Sequence, residues 1–431
     1  MNMTDQKQIP RRAWRWIPSL YFAEGLPYAL VMTVSVVMYK RLGLSNTDVA
    51  LYTSWLNLPW VIKPLWSPLV DLLRTRRGWI WPMQLLVGAG LAGVALTLPT
   101  TAFVQWTMVC LFLVAFSSAT HDIAADGFYM LALPEREQAW FSGLRNTFYR
   151  IANITGQGLL VMLAGKIQQR TGNEVLAWQL IFGGAGAWMI LLASYHWLVL
   201  PRPVADHASK PGAMNSLVHE FLATFESFFR KSGVGRVLTF LLLYRFAEAQ
   251  LGKAAQLFML ESRARGGLGL ATTDVGFLYG TGGVVALLLG GILGGWAVAR
   301  RGLKFWLWPM ALAINVPDVV YVYLAHAQPD NLALVGGCVA VEQFGYGFGF
   351  AAYMLYMIYA ARGEHRTAHY AICTGFMALG VMLPGMWSGW LLDQIGYANF
   401  FWWVLLATIP SFLVVKLIPL DAEFGRKHSD G

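Results

Sequence analysis

Apolar runs about 20 residues long, enough to cross a hydrocarbon core of about 30 Å, recur along the whole chain. They predict helices over 15–40, 48–72, 79–99, 102–132, 138–165, 176–200, 236–261, 272–299, 303–326, 331–361, 367–392 and 398–418. The pattern changes once, at "PRPVADHASKPGAMNSLVHEFLATFESFFRKSGVGR" (201–236), which opens with proline and polar residues. It then sets Leu217, Phe221, Leu222, Phe225, Phe228 and Phe229 on one helical face. That spacing predicts an amphipathic helix on the cytoplasmic membrane surface, capped by Asn215 or Ser216.

The pattern also repeats. "NTDVALYTSW…RTRRGWIWPM" (46–83) returns as "TTDVGFLYGT…VARRGLKFWLWPM" (272–310), about 225 residues later, and "GFYML" at 127 is echoed by "AAYML" at 351. The predicted fold is an all-α integral membrane protein of twelve transmembrane helices in two pseudo-symmetric six-helix bundles. The expected domains are a bundle over 1–200, a cytoplasmic linker over 201–235, a second bundle over 236–418 and a tail over 419–431. Two parallel halves on a cytoplasmic linker resemble the major-facilitator transporters, which implies a solute site between the halves near the midplane.

Composition supports the membrane reading: 57% of residues are hydrophobic and 13% charged, where a soluble protein is about a quarter charged. The net charge of +9 does not indicate nucleic acid, because Lys and Arg fall in short clusters between apolar runs. With the N-terminus inside, most of those clusters lie inside too, among them Arg11, Arg12, Arg74, Arg76, Arg77, Arg136, Arg230, Lys231, Arg300, Arg301 and Lys427. Lys40, Arg41, Lys166, Arg170, Arg263 and Arg265 lie outside, so both termini are expected in the cytoplasm. No cleavable signal peptide is expected, and the first apolar segment should stay as a helix. Cys110, Cys338 and Cys373 are scattered in predicted spans and fit neither disulfide nor metal spacing; no cofactor is expected.

Charges inside the spans carry the candidate chemistry, since each costs about 2.5–3.5 kcal/mol at a helix centre and should face protein or a wet cavity. In "SSATHDIAADGFYML" (117–131), Asp122, Asp126 and Tyr129 share one helical face while His121 points about 100° away. Two carboxylates one turn apart repel when both are ionised, so one is expected to bind and release a proton. Asp122, Asp126, Glu24 and His121 are therefore the proton-coupling candidates. Arg145, Arg150, Lys63, Tyr149, Arg245, Glu248, Glu342, Tyr346 and Tyr353 are the solute-binding candidates; Arg and Lys would take carboxylates and the tyrosines would stack. Trp16 is a further stacking surface, and Asp318 and Lys253 read as ties between helices. Asp71 with Arg74, Arg76 and Arg77 in "SPLVDLLRTRRGW" (67–79) is a degenerate form of the superfamily loop G-x-x-x-D-R-x-G-R-R, which implies gating. Gly25 with Pro27, and Pro384 with Gly385 and Gly389, are expected to bend their helices.

Other classes do not fit. No G-x-x-x-x-G-K-[ST] string is present for a nucleotide-driven pump. An intramembrane enzyme built on His121 and Asp122 would need two side chains that diverge by about 100° to serve one atom, so no catalytic residue is expected.

The strings "FAEGLPYAL" (22–30), "IKPLWSPLVD" (62–71), "RRGW" (76–79), "SSATHDIAADGF" (117–128), "FYRI" (148–151), "LYRFAEA" (243–249) and "ALGVMLPGMWSGWLLDQIGYANFF" (378–401) resemble the AmpG muropeptide permease family and its acetyl-CoA-transporter relatives. His121 stands where that family usually has Gln. The resemblance implies a proton-driven, multi-pass permease of the bacterial inner membrane. It would import N-acetylglucosaminyl-anhydro-N-acetylmuramyl peptides for wall recycling. The expected partners are a small-molecule solute, protons and the bilayer, and the chain is expected to be monomeric. Siderophores, metallophores and acyl-CoA-type anions are the alternative solutes.

Overall fold

The computed structural model describes residues 13–203, 206, 222–363, 365–421 and 423–426. The side chains of residues 71, 72, 135, 136, 139 and 140 lie outside the description. Among the described residues there are helices and no strands. We number the principal helices α1 (Ile17–Arg41), α2 (Asn46–Trp55), α3 (Leu58–Leu73), α4 (Arg76–Thr97), α5 (Phe103–Ala132), α6 (Glu135–Ile154), α7 (Val161–Thr171) and α8 (Glu174–Val199). They continue with α9 (Val234–Leu243), α10 (Phe246–Leu260), α11 (Thr272–Arg301), α12 (Leu303–Ala327), α13 (Leu332–Ala360), α14 (Arg366–Leu406) and α15 (Ile409–Leu417).

Helical backbone fills every interval that the hydropathy pattern marks. Eight helical stretches among the described residues are long and apolar enough to cross a membrane. One of these, Arg366–Leu417, is 52 residues long and breaks at Gly396, whose φ of 73° suits glycine. The other intervals hold broken or more polar helices: α2 with α3, α6 with α7, and α9 with α10. Starts are fixed by local chemistry. The side chains of Ser45, Thr75, Asn173 and Asn331 accept hydrogen bonds from the backbone N–H groups of Asp48, Gly78, Leu176 and Ala333, at 2.9–3.0 Å.

The chain forms two compact units. The first comprises residues 1–35 and 65–219, the second 36–64 and 220–431. In the first, α4 packs against α5 and α8, and α1 packs against α6. Its core joins Trp16, Ile17, Leu20, Tyr21, Phe128 and Phe141. In the second, α11 and α12 pack on α13, and α14 packs on α2 and α10. Its core is aromatic, with the Phe240 ring 4.3 Å from that of Tyr356 and 4.7 Å from that of Tyr244.

Gly25 and Gly389 are sites of close approach. A Cβ at Gly25 would lie 2.6 Å from the Tyr149 carbonyl oxygen on α6, and one at Gly389 would lie 2.1 Å from the Asn46 carbonyl oxygen on α2. The helix around Pro384 and Gly385 runs on without a break until Gly396. In α1 the irregularity is a π-helical turn at Leu30–Val34, one residue beyond Ala29 and downstream of Pro27.

The linker face is divided as well. Residues 222–229 are helical, Leu222 and Phe229 are exposed, and Phe225 and Phe228 pack into the second core. Phe228 lies 5.4 Å from the His369 ring, so this part of the face serves protein packing as well as any membrane surface. Leu217, Phe221 and the caps Asn215 and Ser216 lie outside the described residues, as do Arg11, Arg12 and Lys427.

The glycine contacts generate a test. Gly25→Val forces a branched side chain against the α6 backbone and should lower stability by about 1–3 kcal/mol, whereas Gly143→Ala, inside α6 and meeting open space, should raise it by about 0.5–1 kcal/mol. Chemical unfolding of the purified protein in detergent measures both.

Candidate functional site

The first unit gathers its polar side chains on α1, α5 and α6. Arg145 (α6) pairs with Asp126 (α5), Nη2 to Oδ1 at 3.1 Å. The guanidinium carbon lies 4.8 Å from the Tyr21 ring centre and 5.4 Å from that of Tyr129, so the cation sits on aromatic faces. The two rings meet edge to face at 5.9 Å. Tyr21 donates to Asp126 at 3.4 Å, a long contact, and Tyr129 is held by its hydroxyl on the Gln138 carbonyl. The ion pair remains open to water, with side chains 30% and 41% exposed for Arg145 and Asp126.

Glu24, buried on α1, belongs to the same electrostatic cluster as Tyr21 and Arg145. Tyr149 faces Tyr28, Asp122 and Glu24, with the Asn153 side chain against its hydroxyl, and the Asn153 amide also donates to the Tyr149 carbonyl at 2.9 Å. The face predicted for Asp122, Asp126 and Tyr129 is thus realised. Arg145 brings a cation to it through Asp126, and the Arg150 side chain is exposed.

His121 goes elsewhere. Its Nε2 contacts the Gln84 amide at 2.9 Å, Gln84 Oε1 contacts His196 Nδ1 at 2.9 Å, and His196 Nε2 contacts Ser19 Oγ at 2.9 Å. This chain ties α1, α4, α5 and α8 together in the interior, with His121, His196 and Gln84 buried. Sequence reasoning missed Gln84 and His196, since nothing in their spacing marks a contact across 112 residues.

The candidate gating arginines split in role. Arg77 donates to the Leu200 and Trp197 carbonyls at 3.2 and 2.5 Å, closing the end of α8. Asp206 accepts from the backbone N–H groups of Arg76 and Arg77 at 2.7 and 3.0 Å, so a linker carboxylate caps α4. The Arg76 guanidinium lies against Gly127, where a Cβ would fall 1.5 Å from Nη1. Arg74 is exposed, and the Asp71 side chain lies outside the described residues.

The second unit builds a different arrangement. Arg245 donates from Nε and Nη2 to Glu248 Oε2 at 3.1 and 2.8 Å and from Nη2 to the Tyr346 hydroxyl at 2.6 Å. The rings of Phe350, Tyr346 and Tyr353 surround its guanidinium at 4.9, 5.2 and 5.9 Å. Arg245 and Glu248 are only 10% and 13% exposed, so this pair is closed where the first is open. Tyr353 donates to the Leu241 carbonyl at 2.7 Å and serves as a wall. Glu342 is buried and accepts from Gln343 at 3.0 Å. Lys63 is half-buried on α3. Lys253 donates to Thr53 at 2.8 Å.

A set of polar ties at one end of the second unit was also missed. Lys40 pairs with Glu261 at 2.5 Å and donates to Asn46 at 2.7 Å. Asp393 accepts from the Asn46 amide at 2.7 Å and from the Thr47 N–H and hydroxyl at 2.9 and 2.7 Å. Arg41 donates to Thr272 and to the Leu270 carbonyl at 2.7 and 2.6 Å. Lys40 and Arg41 had entered only as topology signals.

With this geometry in view, comparison with known proteins decides the family. The Major Facilitator Superfamily profile matches residues 19–367. The chain belongs to this superfamily. It is 25% identical over 437 aligned residues to the anhydromuropeptide permease of Escherichia coli K12, spanning 98% of this chain and 82% of that one. It is 22% identical to a transporter named AmpG 4 from Rickettsia conorii, over 93% and 94% of the two chains. A bacterial homologue of the human lysosomal transporter Spinster shares the fold at TM-score 0.68 and 15% identity, over 94% of this chain and 97% of that one. A D-xylose-proton symporter does so at TM-score 0.68 and 13% identity, over 95% and 97%. This superfamily member is an AmpG-like multi-pass inner-membrane transporter and not an enzyme.

The contrast between the two ion pairs predicts different costs. In a double-mutant cycle, Arg145→Ala with Asp126→Ala should give a coupling of about 0.2–1 kcal/mol, because water reaches the pair. Arg245→Ala strands Glu248 in a closed pocket and should cost about 3–5 kcal/mol. Unfolding of the purified variants measures both.

Proposed function

We propose that this transporter imports an anionic, cell-wall-derived solute of the anhydromuropeptide type in symport with protons, as a monomer working by alternating access. In this reading the chain crosses the inner membrane twelve times with both termini in the cytoplasm, and the two six-helix bundles are joined by the linker over 201–235. The observation that carries it is the Asp126–Arg145 pair, open to water on a platform of Tyr21 and Tyr129. Arg145 can exchange the Asp126 carboxylate for that of a solute, and protonating Asp126 frees Arg145 to do so. Solute and proton then favour each other's binding by the same factor.

The name of the Escherichia coli relative, an anhydromuropeptide permease, supports the solute class. Glu24, Asp122 and Tyr149 would complete the wall around this pair. Arg245, Glu248, Glu342, Tyr346, Lys63 and Arg150 would contribute further solute contacts, with His121 holding the proton-coupling helix in register. The ties of Lys40 with Glu261 and of Asn46 with Asp393 would close the extracytoplasmic end, and Arg76, Arg77 and Asp206 the cytoplasmic end.

Uptake of labelled N-acetylglucosaminyl-anhydro-N-acetylmuramyl peptide into proteoliposomes, with and without a pH gradient, tests the reading. Asp126→Asn should abolish accumulation against a gradient while leaving exchange of internal for external solute. Full pH-driven accumulation by both Asp122→Asn and Asp126→Asn would refute proton coupling here, and uptake of a labelled siderophore in place of the peptide would reassign the solute.

Alternating access has its own check. Cysteines replacing Lys40 and Glu261, joined by a bifunctional thiol reagent with a reducible spacer that replaces the length of the two side chains, should arrest transport reversibly, with reductant restoring it. Undiminished transport by the crosslinked protein would exclude opening at this end.

A further inference from the structure

In α12 the helix breaks where the sequence reads "NVPD" (315–318). Pro317 cannot donate to the ladder, and Val316–Asp318 form a 3₁₀ turn between two α-helical segments. Gly345 of α13 packs into the break, where a Cβ would lie 2.1 Å from the Ala313 carbonyl and 2.8 Å from Pro317 Cγ. Asn315 spans it, donating to the Ala311 carbonyl at 2.7 Å and to Ser411 of α15 at 3.0 Å.

Asp318 sits at the turn, 1% exposed, and neither carboxyl oxygen has a hydrogen-bond partner. It stands at the position that would cap the second segment of α12 but makes no capping bond. Helix capping therefore does not account for it, and no base among the described residues pairs with it. The charged groups it faces are the carboxyls of Glu342 on α13 and Glu248 on α10. Glu248 is engaged by Arg245, whereas Glu342, 4% exposed, is met by the neutral donors Gln343 at 3.0 Å and Tyr321 at 3.4 Å. Tyr279 of α11 faces Glu342, Glu248 and Tyr346, and α14 contributes the Phe401 ring, 5.3 Å from that of Tyr321. Lys253, the other buried base on α10, is turned to Thr53. The cluster thus holds three carboxyls and one guanidinium. Two buried carboxylates without a cation in a low-dielectric interior would cost many kcal/mol, and binding a proton removes the charge.

We propose that Asp318 and Glu342 form a proton-binding site of the second unit, separate from the Asp126–Arg145 pair. Asp318, with no donor to stabilise its anion, holds the proton. Glu342, already receiving two hydrogen bonds, is the better-satisfied neighbour. Release of the proton to water adds a negative charge facing Glu248, which weakens that carboxylate's hold in its own site and alters the Arg245–Glu248 pair. The site would thereby report its occupancy to the cation that the transport reading places among the solute contacts, and only that last step rests on the transport reading.

The test needs no solute. Infrared difference spectra of the purified full chain, taken as the buffer moves from about pH 5 to about pH 10, should show a buried carboxylic-acid carbonyl band that is lost as the acid ionises. Asp318→Asn should remove the band, Glu342→Gln should shift the pH at which it is lost, and Asp126→Asn should leave it in place. If Asp318→Asn does not fold, Asp318→Glu keeps the acid on a longer arm and should displace the band. A full-intensity band in Asp318→Asn, an undisplaced one in Asp318→Glu, or a parent band indifferent to pH would overturn the proposal. Loss of the band at fixed pH on adding sodium would assign the site to a metal cation and overturn it equally. Because no solute enters, failure here leaves the muropeptide reading untouched, and failure of that reading leaves this site standing.

Discussion

The cost of holding charge away from water governs where this protein places its ionisable side chains. A charge inside a helical bundle must be paired, surrounded by hydrogen-bond donors, or neutralised. The structure uses all three solutions at different depths. Asp126 and Arg145 are paired yet reachable by water, so the pair can open at small cost. Arg245 and Glu248 are paired, closed and walled by aromatic rings, so opening them requires something else to meet both charges. Asp318 has neither base nor donor among the described residues, and neutralisation is what remains.

The internal repeat shows how one scaffold arrives at two of these solutions. "FAEG" (22–25) and "FAEA" (246–249) align at a separation of 224 residues, as do Tyr129 and Tyr353, so Glu24 corresponds to Glu248. Each unit sets an arginine over the shared tyrosine. The arginine comes from a different place in each. In the first unit it arrives from α6 and reaches across to an acid on α5, so its pairing depends on the spacing of two helices. In the second it stands three residues before its acid, at the start of α10, so the pair travels with one helix. The first pair is sensitive to helix movement and the second is not.

This difference also marks the limit of what the sequence discloses. The helical intervals and the common face of Asp122, Asp126 and Tyr129 follow from a periodicity of 3.6, which needs no knowledge of neighbours. Which arginine meets that face is not periodic information. Arg145 and Arg150 differ by five residues, hence by about 140° around α6, and only the packing of α6 on α1 decides which one turns inward. That packing depends on Gly25, whose missing side chain lets the Tyr149 backbone come close. The glycine reads in sequence as a flexible point, but its role is steric. The chain from Ser19 through His196 and Gln84 to His121 was illegible for a related reason, since its members lie on four helices.

The ties around Asn46 and Asp393 combine two kinds of adhesion with different consequences. Gly389 brings α14 against the Asn46 backbone, so dispersion contacts are dense there, and Asp393 adds three hydrogen bonds from Asn46 and Thr47. Each such bond is worth only about 0.5–1.5 kcal/mol net, rising to about 1.5–3 for a charged partner, because water would replace it on separation. The Lys40–Glu261 pair, about one-tenth exposed, is the more expensive to separate dry and the less expensive once water enters. A set of ties built this way is therefore held mainly by the exclusion of water. Hydration of its rim lowers the cost of every remaining tie, so that in the gating role proposed above its opening would be cooperative without any single strong bond to break.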